Sequence, residues 1–166
     1  MALLDSLPLV ALLAFLALQL AAAGYDFLTL TIPNPIVYGL AACFAMVGAL
    51  SFGDIAWSSH LAAGAIVFAL GAALFYFKLF GGGDAKLCAV SSLWVGLGEL
   101  PLYLLLVAVI GLLLALVLRV LQPMAPLVLA RLPDTVATGL PPSLYPGGGV
   151  PYGIAIAGGA ILIALW

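Results

Sequence analysis

The chain has 166 residues, of which 67% are hydrophobic and only 6% charged, with a formal net charge of −2. Globular domains carry about a quarter charged residues, and no soluble fold covers so much apolar surface with so few charges. The net charge is too small to imply a nucleic-acid partner or an acidic one. The lipid bilayer is therefore the solvent, and the fold must be helical or a closed barrel. A barrel would show alternating segments of about ten residues. This chain shows unbroken apolar runs such as Leu102 to Leu118, which predicts an all-α polytopic membrane protein with one domain over residues 1–166.

A bilayer-crossing helix needs about 20 apolar residues, and six runs qualify. The first covers about residues 3–24. Ala21-Ala22-Ala23 imitates a signal-peptide cleavage site, but the segment holds no Lys or Arg and carries Asp5, so it reads as a retained span. Asp26 follows just past its end. The second span opens at Pro33-Asn34-Pro35 and covers about 35–52, with Asn34 as N-cap and Pro35 at the first helical position. The third covers about 60–77. Gly81-Gly82-Gly83-Asp84 then interrupts the apolar pattern. A short fourth span covers about 85–98, and the fifth about 101–121. The stretch 122–149 is rich in proline and glycine, with Pro141-Pro142 and Gly147-Gly148-Gly149, and reads as an irregular, partly mobile loop. Within it, Leu127 to Leu132 is expected as a short interfacial helix. The sixth span covers about 150–166. The absence of an internal repeat disfavours a repeat-built transporter.

Orientation follows from charge. If the spans alternate, one side collects Lys78, Lys86, Arg119 and Arg131, all the basic residues. The other collects Asp5, Asp54, His60 and Glu99. The positive-inside rule makes the first side cytoplasmic and places both termini outside. Asp26 and Asp84 then share the cytoplasmic end. Tyr25, Trp57, Tyr76, Tyr103 and Trp166 near span ends read as an aromatic belt, and Trp94 as packing. His60 and Asp54 read as interfacial. Cys43 and Cys88 form no Cys-x-x-Cys pair and read as small buried hydrophobes. Nothing calls for a metal or cofactor.

Two carboxylates in so uncharged a chain suggest an intramembrane aspartyl protease. Such chemistry places two carboxylates around one water. One takes its proton and the other hydrogen-bonds the scissile carbonyl, the pair holding a single shared proton. Asp26 and Asp84 are 58 positions apart, so spans one and four must be neighbours. Asp26, at a helix C-terminus, meets a dipole that disfavours negative charge. Asp84, at a helix N-terminus, meets one that favours it. On that argument Asp84 is the base and Asp26 the protonated partner. Gly81, Gly82 and Gly83 would let a substrate strand approach Asp84, with Lys86 steadying it. Each residue also has a plainer reading. Asp84 suits an N-cap, Asp26 a solvated interfacial acid, the glycines a flexible turn and Lys86 a topology charge.

Three blocks, taken together, resemble the type IV prepilin leader peptidases, a family of GxGD-type membrane aspartyl proteases. They are Asp26 followed by Ile32-Pro33-Asn34, then Phe80-Gly81-Gly82-Gly83-Asp84-Ala85-Lys86-Leu87, then Val150-Pro151-Tyr152-Gly153-Ile154-Ala155-Ile156-Ala157. The resemblance implies that Asp26 and Asp84 are the catalytic pair. It implies a multi-pass protein of the bacterial cytoplasmic (inner) membrane that removes a prepilin leader after a glycine, at the cytoplasmic face. The third block, without an acid, reads as a packing support through small residues. Larger members carry a cytoplasmic insertion with paired Cys-x-x-Cys motifs and methylate the new pilin terminus. This sequence has neither those cysteines nor that insertion. It is similar to the short form that serves Flp (tight-adherence) pili, so methyltransferase activity is not expected. It also departs from the family at Phe27-Leu28-Thr29-Leu30-Thr31, which carries no basic residue. Two alternatives stand beside the protease. One is a small six-helix transporter or channel with acids in an ion path. The other is a non-catalytic subunit of a pilus or secretion assembly.

Overall fold

The computed structural model describes residues 9–50, 55–129 and 140–166, and none of these lies in a strand. Its helices are α1 (Leu9–Thr29), α2 (Asn34–Leu50), α3 (Trp57–Tyr76), α4 (Gly82–Leu121), α5 (Ala125–Leu129) and α6 (Tyr152–Leu165). Asp5, Asp54, Arg131 and the 130–132 part of the expected interfacial helix fall outside the described residues. The start of that helix is seen as α5. By length and composition, three segments can cross a membrane: Leu9–Thr29, Trp57–Tyr76 and Gly82–Leu127. The apolar α2 and α6 are shorter.

Helix α1 runs further than the sequence pattern indicated, so Asp26 lies inside its last turn rather than beyond it. The Leu30 N–H still donates to the Asp26 carbonyl at 2.8 Å, and the Thr29 hydroxyl donates back to the Tyr25 carbonyl at 2.7 Å. The helix stops where Leu30 takes φ 52°. Ile32 cannot resume it, because a residue before proline disfavours the helical region.

The fourth and fifth runs form the single element α4, broken at Gly96 (φ 76°, ψ 170°) rather than between Gly98 and Pro101. The break reverses the chain. A straight helix would separate residues 88 and 103 by about 22 Å, yet the Tyr103 hydroxyl lies 3.8 Å from Cys88 Sγ. The limb 97–121 therefore folds back along the limb 82–95.

The break interrupts the helical hydrogen bonds that span Gly96, among them that from the Leu97 N–H to the Leu93 carbonyl. Helix α3 supplies new partners for these two groups. The Leu97 N–H donates to Ser59 Oγ at 3.1 Å. His60 Nδ1–H donates to the Leu93 carbonyl at 2.7 Å; a carbonyl can only accept, so this nitrogen carries the proton. His60, in the first turn of α3, is buried within the bundle. Tyr103 leaves the aromatic belt: it is fully buried between the limbs.

Helix α4 is the centre of the bundle, with α2, α3 and α6 packed on it and α1 reaching it through Phe15 and Gln19. Trp94 on the first limb is fully buried, as expected of a packing residue. Its ring lies 4.9 Å from Phe15 and 5.8 Å from Phe44 between centroids, and its Nε1–H donates to the Leu40 carbonyl at 3.2 Å. A buried bond from Gln19 Nε2 to Ser91 Oγ, 2.7 Å long, ties α1 to the same limb. Cys88 is buried and Cys43 half-buried, both as free thiols. Large apolar side chains such as Leu20, Phe68, Leu105 and Leu116 face outward, as a bilayer solvent requires.

These contacts predict the behaviour of two variants. Gly96→Ala forces a side chain into a left-handed backbone conformation, with its Cβ 2.9 Å from the His60 ring, and should lower the thermal unfolding midpoint in detergent. Ser59→Ala removes the acceptor of the Leu97 N–H and should cost about 1 kcal/mol. Ser58→Ala, on an exposed neighbour, should leave the midpoint unchanged.

Candidate functional site

Asp84 is the third residue of α4, and Gly81, in extended conformation (φ −71°, ψ 143°), precedes the helix as its N-cap. From that position the Asp84 carboxylate reaches back to the Gly81 N–H, the acid's half of a capping box. Gly81 and not Asp84 is therefore the N-cap; the Asp84 carboxylate bonds back to it from the first turn, and the rest of the carboxylate faces a cavity. Asp26 arrives from the last turn of α1 and is almost fully buried. Both carboxylates line one cavity of about 330 Å³, walled by Leu30, Thr31, Ile32 and the three glycines 81–83. Spans one and four are therefore neighbours at this end, as the chemistry required.

Asp26 has a partner that sequence reasoning missed. The Gly153 N–H, in the first turn of α6, donates to Asp26 Oδ2 at 2.6 Å. Here only glycine fits: a Cβ on residue 153 would sit 2.8 Å from Asp26 Cβ and 2.9 Å from Oδ2. The block Val150 to Ala157 was visible in the sequence, but only as small residues suited to packing. Nothing in its spacing said which side chain the first turn of α6 would meet. The bond also alters the charge argument from dipoles. Both carboxylates now accept from the N-terminal N–H groups of a helix, and such groups favour negative charge. The asymmetry expected between Asp84 and Asp26 is offset accordingly.

Lys86 does not reach the cavity. Two residues beyond Asp84 it points about 200° around the helix, and its exposed ammonium donates to Asn34 Oδ1 at 3.1 Å. Glu99 and His60 line a separate cavity of about 240 Å³ with Ser59 and Gly96, away from the two aspartates. Among the described residues, no group of three or more His, Cys, Asp or Glu side chains is placed to hold a metal ion.

The stretch 140–149, expected to be irregular, is tied down beneath the site. Gln122 Nε2 donates to the carbonyls of Ser143 and Gly148, each at 3.0 Å. Ser143 is fully buried, and its hydroxyl donates to the Phe27 carbonyl at 3.5 Å. The Gly149 backbone packs near the Leu30 side chain. The turn after Asp26 is thereby braced from below. Gln122→Ala should speed amide hydrogen exchange across residues 144–149 in the detergent-solubilised protein, while exchange in α3 stays unchanged.

A family model described as the type IV leader peptidase family matches residues 13–116. That stretch includes both cavity carboxylates, the glycine turn and the break at Gly96. No curated protein and no solved structure matches the chain.

Proposed function

Because the chain belongs to the type IV leader peptidase family, we propose that it is a membrane aspartyl endopeptidase whose catalytic pair is Asp26 and Asp84. The observation that carries this reading is the shared cavity: two carboxylates from distant helices line one space beside a glycine turn. A water held between them loses a proton to the ionised carboxylate as its oxygen attacks the scissile carbonyl. The protonated carboxyl donates a hydrogen bond to the carbonyl oxygen, where negative charge builds. Collapse of the tetrahedral adduct breaks the C–N bond, and the leaving amine takes a proton from the pair. The single shared proton this needs is the ordinary state of two close carboxylates. Gly153 acts as a positioning residue, since its N–H fixes the Oδ2 of Asp26. The glycines 81–83 leave the cavity mouth open to an extended peptide backbone.

The substrate in this reading is a Flp-type prepilin, cut after a glycine at the cytoplasmic membrane face. Six crossings follow if α1, α2, α3, the two limbs of α4 and α6 each traverse the bilayer. Both termini then lie outside the cytoplasm. Lys86 and Lys78 support the orientation. Lys86 lies two residues beyond Asp84 in α4, and Lys78 follows the end of α3, whose Phe75 ring lies near Gly82.

The test is leader cleavage of a co-reconstituted Flp-type prepilin. Asp26→Asn and Asp84→Asn should each lower the rate by at least about 10²-fold, with thermal unfolding showing that each variant is folded. Cleavage by either at the wild-type rate would sink the assignment. Gly153→Ala should reduce kcat with little change in KM, because its methyl group displaces Asp26 and leaves the peptide path alone. An equal loss in an Ala155→Gly variant, whose side chain packs toward Gly111, would argue against a positioning role.

A further inference from the structure

Helices α2 and α3 both pack on the first limb of α4, but they diverge along it. At the narrow end they meet through aromatic rings: Phe44 lies 5.8 Å from Trp57 and 6.0 Å from His60 between centroids. The Trp57 ring covers Gly48 so closely that a Cβ there would overlap it. Toward Lys86 the two helices part. The space between them is a cavity of about 470 Å³ lined by Val37, Tyr38 and Ala41 from α2, Ala65 and Phe68 from α3, and Val90 from α4, among others. Its lining is apolar except at the wide end, where Lys86 contributes the one formal charge.

We propose that this groove binds one anionic phospholipid, with an acyl chain in the wedge and the phosphate against Lys86. Three observations select this occupant. The Lys86 ammonium has three donors, and Asn34 Oδ1 accepts one of them; the remainder suit phosphate oxygens at the membrane surface. The two helices meet at Phe44, Trp57 and His60 beyond the groove, so the groove narrows toward that end and suits a flexible acyl chain better than a helix about 10–12 Å across. An unfilled wedge would forfeit the dispersion contacts of its walls. Finally, Lys86 faces away from Asp84 on α4, so a peptide lying in the groove would have to cross α4 to reach the carboxylates. The inference stands apart from the protease reading, because its readout is lipid retention and not cleavage.

Native mass spectrometry of the full chain, solubilised with phosphatidylglycerol and phosphatidylcholine in equal amounts, tests it. The wild type should retain phosphatidylglycerol preferentially, and Lys86→Gln should reduce that preference about 5-fold. Ala65→Phe, which fills the exposed groove wall, should lower retention of both lipids. Glycerol phosphate without acyl chains, and an apolar prepilin helix, should each fail to displace the bound lipid. An unchanged preference in Lys86→Gln or unchanged retention in Ala65→Phe overturns the proposal. Displacement by glycerol phosphate would reduce the site to a simple anion site, and displacement by the helix would make it a peptide site; either result also overturns it.

Discussion

In a continuous helix the Leu93 carbonyl and the Leu97 N–H would bond to each other. In this protein each is bonded to α3 instead, through His60 and Ser59. The rest of the bundle depends on that exchange. An apolar solvent offers no water to satisfy opened backbone groups, and each would cost several kcal/mol if left bare. A reversal of α4 at Gly96 is therefore tolerable only where another helix supplies a donor and an acceptor together. Because the chain reverses there, the second limb returns along the first. Its face then receives α6, with Val107 and Tyr103 against Gly159 and Ile110 against Gly158. That docking in turn sets the first turn of α6 on Asp26, where the Gly153 N–H meets Oδ2.

Apart from Gln19 Oε1, which is buried without a partner among the described residues, the polar groups of Gln19, Ser92 and Trp94 follow the same economy. Gln19 bonds Ser91, the Ser92 hydroxyl returns to the Cys88 carbonyl, and the Trp94 indole serves the Leu40 carbonyl. Each of these bonds either joins two helices or closes a turn of one. Asp26 and Asp84 differ in that each gives one interaction to a backbone N–H and still lines an open cavity. Carboxylates held on one side and free on the other are what the proposed hydrolysis would need.

The first limb of α4 separates two environments. One face presents Asp84 to the cavity, while the face about 200° around presents Lys86 to the apolar groove between α2 and α3. The helical repeat alone places the acid and the base on opposite sides. A motif that reads in sequence as one unit, glycines through lysine, is thereby divided between two sites. Lys86, expected beside the acid, belongs with Asn34 instead.

Composition pointed to a bilayer solvent, because 67% hydrophobic residues and 6% charges leave no soluble alternative, and the unbroken apolar runs made the class all-helical. The apolar runs likewise located the helices, and the isolated acids marked the candidate site, since charge is conspicuous where it is rare. Other features depended on contacts between residues far apart in the chain. The end of α1 beyond Asp26 rests on the Thr29 back-bond and the conformation of Leu30. The break at Gly96, and not at Pro101, rests on two side chains 36 and 37 positions earlier in the chain. The burial of Tyr103 and His60, aromatic residues near helix ends, rests on the reversal of α4. The partner of Asp26 is a backbone N–H from 127 positions away. Local pattern reports how far a segment prefers lipid to water, and so where helices lie. It carries no record of which turn faces which, and that was decided by the packing of the helices on one another.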